Sequence, residues 1–259
     1  MAIVNVEADA SALATATATR IAHLLREACA RYGTARLCMT GGHTPRLTYE
    51  RLAWVSTQPA TAIDWSRVHL FWGDERMVPL DHGDSNFGMA DLALILPVAV
   101  PSRNLHRMRG ELPDVEEAAR DYERVLGRFE RAGAPRFDVV LLGVGTDGHI
   151  ASLFPGSPLV NPAEHAASPA ALLEAARKDR LAAAVPVPGH ATWRITLTPR
   201  ALLDAAAILV LTAGTAKADA VQHALRSAED IARWPVQLLR RAGDRVEWWL
   251  DRDAAAGLL

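Results

Sequence analysis

A chain of 259 residues, half of them apolar and 22% charged, has ordinary globular composition and can bury a large core. Its formal net charge of -2 offers no basic surface for a nucleic-acid backbone, so no nucleic-acid partner is expected. No apolar run approaches the ~20 residues that cross a bilayer, which leaves no expected membrane partner.

The start, "MAIVNVEADA", has early acids and no basic segment leading into an apolar stretch, so no secretion signal is expected. Ile21, Leu24, Leu25, Ala28 and Cys29 fall at helical spacing, which predicts an amphipathic helix over 10–32. "ARLCMT" (35–40) reads as a buried strand, the first of the chain, entering a loop at Gly41-Gly42. "TPRLTYERLAWV" (44–55) follows as a helix with Thr44 as N-cap and Pro45 at its first position. Cys29 and Cys38 sit in these apolar segments, where buried thiols rather than a disulfide are expected, in a cytoplasmic protein.

"RVHLFWGDER" (67–76) reads as one strand and "SNFGMADLALIL" (85–96) as a helix stopped by Pro97. The segment 114–133 is a strongly patterned helix with acids in its first turn and Gly133 past its end. "FDVVLLG" (137–143) is continuously apolar, as a strand covered on both faces must be. The next stretch carries several prolines and predicts a loop with a short helix. "LAAAVPVP", "WRITLT" and "AAILVLTAG" then read as strands, "TAKADAVQHALRS" as a helix, and "RVEWWLD" (245–251) as a closing strand. Strands alternating with helices predict an α/β fold, Rossmann-like in a modified form: a mostly parallel sheet with helices on both faces. Nothing resembles an interdomain linker, so a single domain over 1–259 is expected, with excursions near 85–110 and 156–190.

Ligands of such sheets bind where loops leave the carboxyl ends of strands. Four loops there combine glycine with polar groups. "TGGHTP" (40–45), with Gly41, Gly42, His43 and Thr44, runs into a helix N-terminus, which suits either an anion or a tight turn. "GDER" (73–76) sets Asp74, Glu75 and Arg76 at a strand end, as a solvated turn or as a site in which the arginine clamps an anion or polarises a carbonyl. "GVGTDGH" (143–149) contains a G-x-G-x-x-G at Gly143, Gly145 and Gly148, yet a dinucleotide site needs a helix and then a strand ending in an acid. Glu164 lies near the right distance, but Pro155, Pro158 and Pro162 intervene, so the dinucleotide reading fails. The loop instead delivers Asp147 and His149 together, as an oriented base or as a structural pair. "TAGTAK" (212–217) offers Lys217 as a phosphate partner or an exposed lysine, and Arg194 in "WRITLT" is an anion contact or a paired structural arginine. Asp81, His82 and Asp84 have no second cluster at zinc-ligand spacing, and no G-x-S-x-G is present.

Taken in this order, "TGGHTP", "LFWGDERMVPLDHGDSNFGMA", "FDVVLLGVGTDGHIASLFPGS", "WRITLT" and "AGTAKADAV" resemble the 6-phosphogluconolactonases of the glucosamine-6-phosphate isomerase/6-phosphogluconolactonase superfamily. The resemblance runs from about residue 35 to 250. The sister deaminases read D-E-Y and G-H-I-A-F-N-E-P where this chain has Arg76 and "ASLFP", and Thr40 and His43 depart from the family's usual S-G-G-S-T-P. The resemblance implies hydrolysis of 6-phosphoglucono-1,5-lactone to 6-phosphogluconate, in the oxidative pentose phosphate route, without metal or organic cofactor. It implies His149 as the base with Asp147 behind it, Arg76 at the carbonyl, and the loop 41–44 with Gly145, Arg194 and Lys217 around the substrate and its phosphate. The partner is a small sugar phosphate, and the chain is expected to be a monomer or homodimer. Two competing readings are a deaminase with Asp74 as base and a sugar-phosphate sensor. A sensor that regulates transcription needs a basic helix-turn-helix before the first strand, and the 34 residues before position 35 hold mostly one Ala/Thr helix.

Overall fold

The computed structural model describes residues 3–160 and 180–258; the short helix expected after residue 156, where it falls within 161–179, and Glu164 lie outside them. Seven parallel strands form the main sheet in the order β1-β10-β9-β6-β2-β3-β5. They are β1 (Ile3–Glu7), β2 (Ala35–Met39), β3 (Val68–Trp72), β5 (Leu105–His106), β6 (Phe137–Gly143), β9 (Ala205–Thr212) and β10 (Val246–Asp251). A smaller antiparallel sheet joins β4 (Asp74–Arg76), β8 (Trp193–Leu197) and β7 (Ala182–Pro186).

Strand alternation divides the core. Leu37, Val139, Leu141 and Leu209 face helices α1 (Ala10–Tyr32) and α2 (His43–Val55) on one side. Cys38, Val140, Leu142, Ile208 and Val210 face the other, where Ala118, Tyr122 and Leu126 of a helix at Val115–Gly127 pack. Strand β6 lies mid-sheet with helices over both faces, which is why its sequence is apolar without alternation.

Several expected boundaries move. The first strand is β1, not 35–40: "IVNVE" is a short, exposed edge strand whose side chains supply no one-sided apolar pattern. The run 67–76 is two strands. Gly73 donates its N–H to Met39 in the main sheet (2.8 Å) and accepts from Leu197 in the small sheet (2.8 Å), so the chain changes sheets at that residue. Helix α2 begins one residue early, because Gly42 takes φ 108, a conformation open to glycine; Thr44 caps nothing, and Pro45 is the third helical residue.

Pro97 does not stop its helix. The segment starts as α-helix at Asn86–Ala90, widens to a π turn at Asp91–Ile95 and closes with one turn at Leu96–Val98. The wider turn relieves the proline ring of the carbonyl four residues back. The helix expected over 114–133 ends at Gly127, beyond which Arg36 takes the Phe129 carbonyl as acceptor. The expected helix at 215–227 opens as a 3-10 turn (Thr215–Lys217) before Ala218–Arg226.

Candidate active site

The connections after β2 and β6 leave the sheet in opposite directions, towards β3 and towards β9, so a crevice opens between them at their carboxyl ends. A cleft of about 530 Å³ occupies it. Gly41, Gly42, His43, Thr44, Asp74, Arg76, Gly145, His149, Arg194 and Lys217 all line this one cleft, and Asp147 joins it through His149.

The loop 145–149 closes on itself, with Gly145 N–H donating to the His149 carbonyl (2.8 Å) and Gly148 N–H to the Gly145 carbonyl (3.0 Å). That turn brings Asp147 Oδ1 within 2.6 Å of His149 Nδ1 and 3.2 Å of the His149 backbone N–H. A carboxylate at Nδ1 keeps the proton there and leaves the Nε2 lone pair as the basic position. The same hydrogen bond holds the Asp147 carboxyl below the usual carboxylate range. His149 is also tilted against Phe154 at 5.0 Å between ring centres.

The small sheet supplies the arginines. Antiparallel pairing sets Arg76 opposite Arg194 and Asp74 opposite Thr196, so both arginines and Asp74 project from one face of the ribbon. Two like charges side by side are unfavourable; burial, and after it the Arg76 charge, lowers the Arg194 pKa. Asp74 compensates, with Oδ2 at 3.6 Å from Arg194 Nη1. Arg76 Nη1 donates to the Asp84 carbonyl (2.5 Å).

Asp74 itself is buried and engaged. Ser152 Oγ donates to its Oδ2 (2.7 Å) and Asn86 Nδ2 to its Oδ1 (3.2 Å). Glu75, on the opposite face, accepts the backbone N–H groups of Asn86 and Phe87 (2.8 Å each) and its own neighbour's (2.8 Å). Burial raises its pKa despite these bonds. Both acids fasten the segment 85–87 to the ribbon.

On the far wall, α2 presents a first turn without a side-chain cap, behind Gly42. Gly41 is needed for contact: a Cβ there would stand 1.8 Å from Asn86 Oδ1. Tyr49 fixes the end of β2 by accepting the Thr40 N–H (2.9 Å) and donating to its carbonyl (2.8 Å). In "TAGTAK", the Gly214 N–H is already taken by both Asp251 oxygens at 3.0 Å, while Lys217 lines the cleft. Burial lowers the Lys217 pKa, and the nearby Asp147 charge partly restores it. The groups that sequence reasoning missed are Asn86, Ser152 and Asp251. Ser152 stands inside a quoted motif without a signal of its role.

The family model described as glucosamine-6-phosphate isomerases/6-phosphogluconolactonase matches residues 8–248. The chain belongs to this family. Proteins named 6-phosphogluconolactonase are 38% identical in Mycobacterium tuberculosis, over 96% of both chains, and 33% identical in Synechocystis, over 90% of this chain and 89% of that one. The solved structure of 6-phosphogluconolactonase from Trypanosoma brucei superposes with a TM-score of 0.82 at 26% identity, covering 100% of this chain and 99% of that one. A monomeric glucosamine-6-phosphate deaminase shares the fold at 20% identity and a TM-score of 0.79, covering 98% of this chain and 99% of that one.

Proposed function

We propose that the chain hydrolyses 6-phosphoglucono-1,5-lactone to 6-phosphogluconate, with His149 as the base. The observation that carries this reading is the His149–Asp147 pair at 2.6 Å, set in one cleft with Arg76, Arg194, Lys217 and the glycine-entered turn of α2. The relatives named 6-phosphogluconolactonase support it.

The chemistry follows from the groups. Water attacks the lactone carbonyl carbon while His149 Nε2 takes its proton, and Asp147 stabilises the imidazolium formed. Arg76 donates to the oxyanion as it develops. The ring C–O bond then breaks, and the imidazolium returns the proton to the leaving ring oxygen. The phosphate at the far end lies against the N–H groups of residues 42–44, with Lys217 and Arg194 as counter-charges. Holding that remote dianion positions the carbonyl beside His149. Asp74 acts as the counter-charge of Arg194, because Ser152 and Asn86 already occupy its oxygens.

A pH-stat assay on freshly prepared lactone tests the reading. Acid release well above the spontaneous rate, with and without a chelator, is expected. An unchanged rate, or ammonia released from glucosamine 6-phosphate instead, overturns it.

A further inference from the structure

The loop that carries His149 is gripped from outside the cleft. Gly148 sits at φ 79, and a Cβ there would lie 2.6 Å from Trp234 Cε3 and 3.4 Å from Cζ3, so the indole packs directly on the glycine. Two residues further on, Val236 N–H donates to the Gly148 carbonyl (2.9 Å). On the other side of the loop, Gly156 N–H donates to the Ala232 carbonyl (2.7 Å). The segment 232–236 therefore holds the chain both at the loop and just after it.

Trp234 has little freedom of its own. It is buried, and His223 stacks on it with ring centres 4.0 Å apart and planes 12° apart. Gln237, fully buried, accepts from Asp230 N–H (2.6 Å) and donates to the carbonyls of His223 (2.9 Å) and Ala228 (3.0 Å). The helix bearing His223 and the segment bearing Trp234 are thereby tied into one support. Trp234 is not among the residues that line the cleft. Any effect it has on chemistry must pass through the loop.

We infer that Trp234 is a positioning residue: its indole sets Gly148, and through Gly148 the orientation of His149 against Asp147. The inference rests on the reading of His149 as the base. Loss of the indole leaves room for the glycine, a permissive backbone position, to change its dihedrals. The imidazole then swings from Asp147, while the groups around the phosphate stay in place.

Trp234→Ala is expected to lower kcat on the phosphorylated lactone about 10²-fold with KM little changed, the signature of a misplaced catalytic group. Trp234→Phe, which keeps a ring on Gly148, should restore most of the loss. In a His149→Ala background, Trp234→Ala should reduce kcat no further, since the group it positions is gone. A fully additive double variant, or a Trp234→Ala enzyme with wild-type kcat, overturns the inference. Should Trp234→Ala fail to fold, Trp234→Leu carries the same test.

Long-range 15N–1H NMR of the imidazole gives a readout independent of turnover. The wild type is expected to hold His149 as the Nδ1–H tautomer, and Trp234→Ala to give a mixture of tautomers. An unchanged tautomer in Trp234→Ala overturns the inference. A wild type inactive on lactone whose tautomer still responds to Trp234 overturns the lactone reading alone.

Discussion

Gly145 leaves its Cβ position to the His149–Asp147 pair. A methyl there would stand 2.1 Å from His149 Nδ1 and 2.4 Å from Asp147 Oδ1, closer than any carbon can sit. Gly145→Ala must therefore part the two side chains, and it should cost kcat nearly as much as His149→Ala, about 10²–10⁴-fold for a general base, while thermal melting stays near wild type. Near-normal turnover in either folded variant would remove His149 from the base position. Lys217 has a different signature. Burial lowers its pKa, so in the free protein its charge fades with rising pH earlier than that of an exposed lysine. Affinity for 6-phosphogluconate, measured by calorimetry, should decline on the alkaline side in the wild type and remain flat there in Lys217→Ala. An alkaline decline that survives in Lys217→Ala would exclude the assignment. His149 and Asp147 were legible in the sequence because they share one short glycine loop. Asn86 and Ser152 were not, because each acquires its partner, Asp74, only once the ribbon 74–76 has turned away from the main sheet.

At the scale of elements, two buried tyrosines do the same work on opposite faces of the sheet. Tyr49 bridges the N–H and carbonyl of Thr40 at the end of β2, and Tyr122 does so for Trp72 at the end of β3 (2.9 and 3.0 Å). Both strands lead directly into the cleft. Tyr49→Phe and Tyr122→Phe each leave a buried peptide unpaired, and denaturant unfolding should register a loss of about 1–3 kcal/mol; no loss in either would mean that water replaces the hydroxyl. The edge strand β5 carries a second test. His106 lies 2.9 Å from His69 (Nε2 to Nδ1) and stacks on Phe71 at 4.6 Å, and burial pushes its pKa down to about 4. The fold thus favours the neutral ring, and the unfolded chain takes up the proton first as pH falls. The stability it brings is full above the ordinary imidazole value of ~6.5 and is lost as pH drops towards about 4. His106→Phe should flatten the fall of Tm with pH across that window, and an unchanged slope would contradict it. Sequence periodicity found the long elements, Ala10–Tyr32 and Phe137–Gly143, because each keeps one pattern along its length. It missed β1 and β5, whose two to five residues at a sheet edge bury too little to leave a pattern. It joined β3 to β4 because the break at Gly73 costs no apolar residue.

For the whole molecule, the parallel order of the sheet and the layers on both faces were implied by alternating strands and helices, whereas the separate three-stranded ribbon was not. Its strands come from two distant parts of the chain, β4 at 74–76 and the β7–β8 hairpin at 182–197, and the pairing of β4 with β8 leaves no local signal. That ribbon is what brings two arginines to a cleft otherwise built from glycine loops. The two cores share the strands between them, so residues 1–259 are proposed to unfold as one domain: calorimetry should give one transition, and two separated transitions would contradict it. In the proposed mechanism, function at this scale depends on anchoring one end of the substrate so that the other meets His149. Charged contacts to a phosphate contribute roughly 1.5–3 kcal/mol each, so a lactone lacking the phosphate should lose tenfold or more in kcat/KM. The decisive measurement is kcat/KM of the wild-type protein on 6-phosphoglucono-1,5-lactone and on glucono-1,5-lactone, side by side. A ratio of about ten or greater is expected from even one such contact. Equal values for the two lactones would contradict a phosphate held by the α2 turn, Arg194 and Lys217.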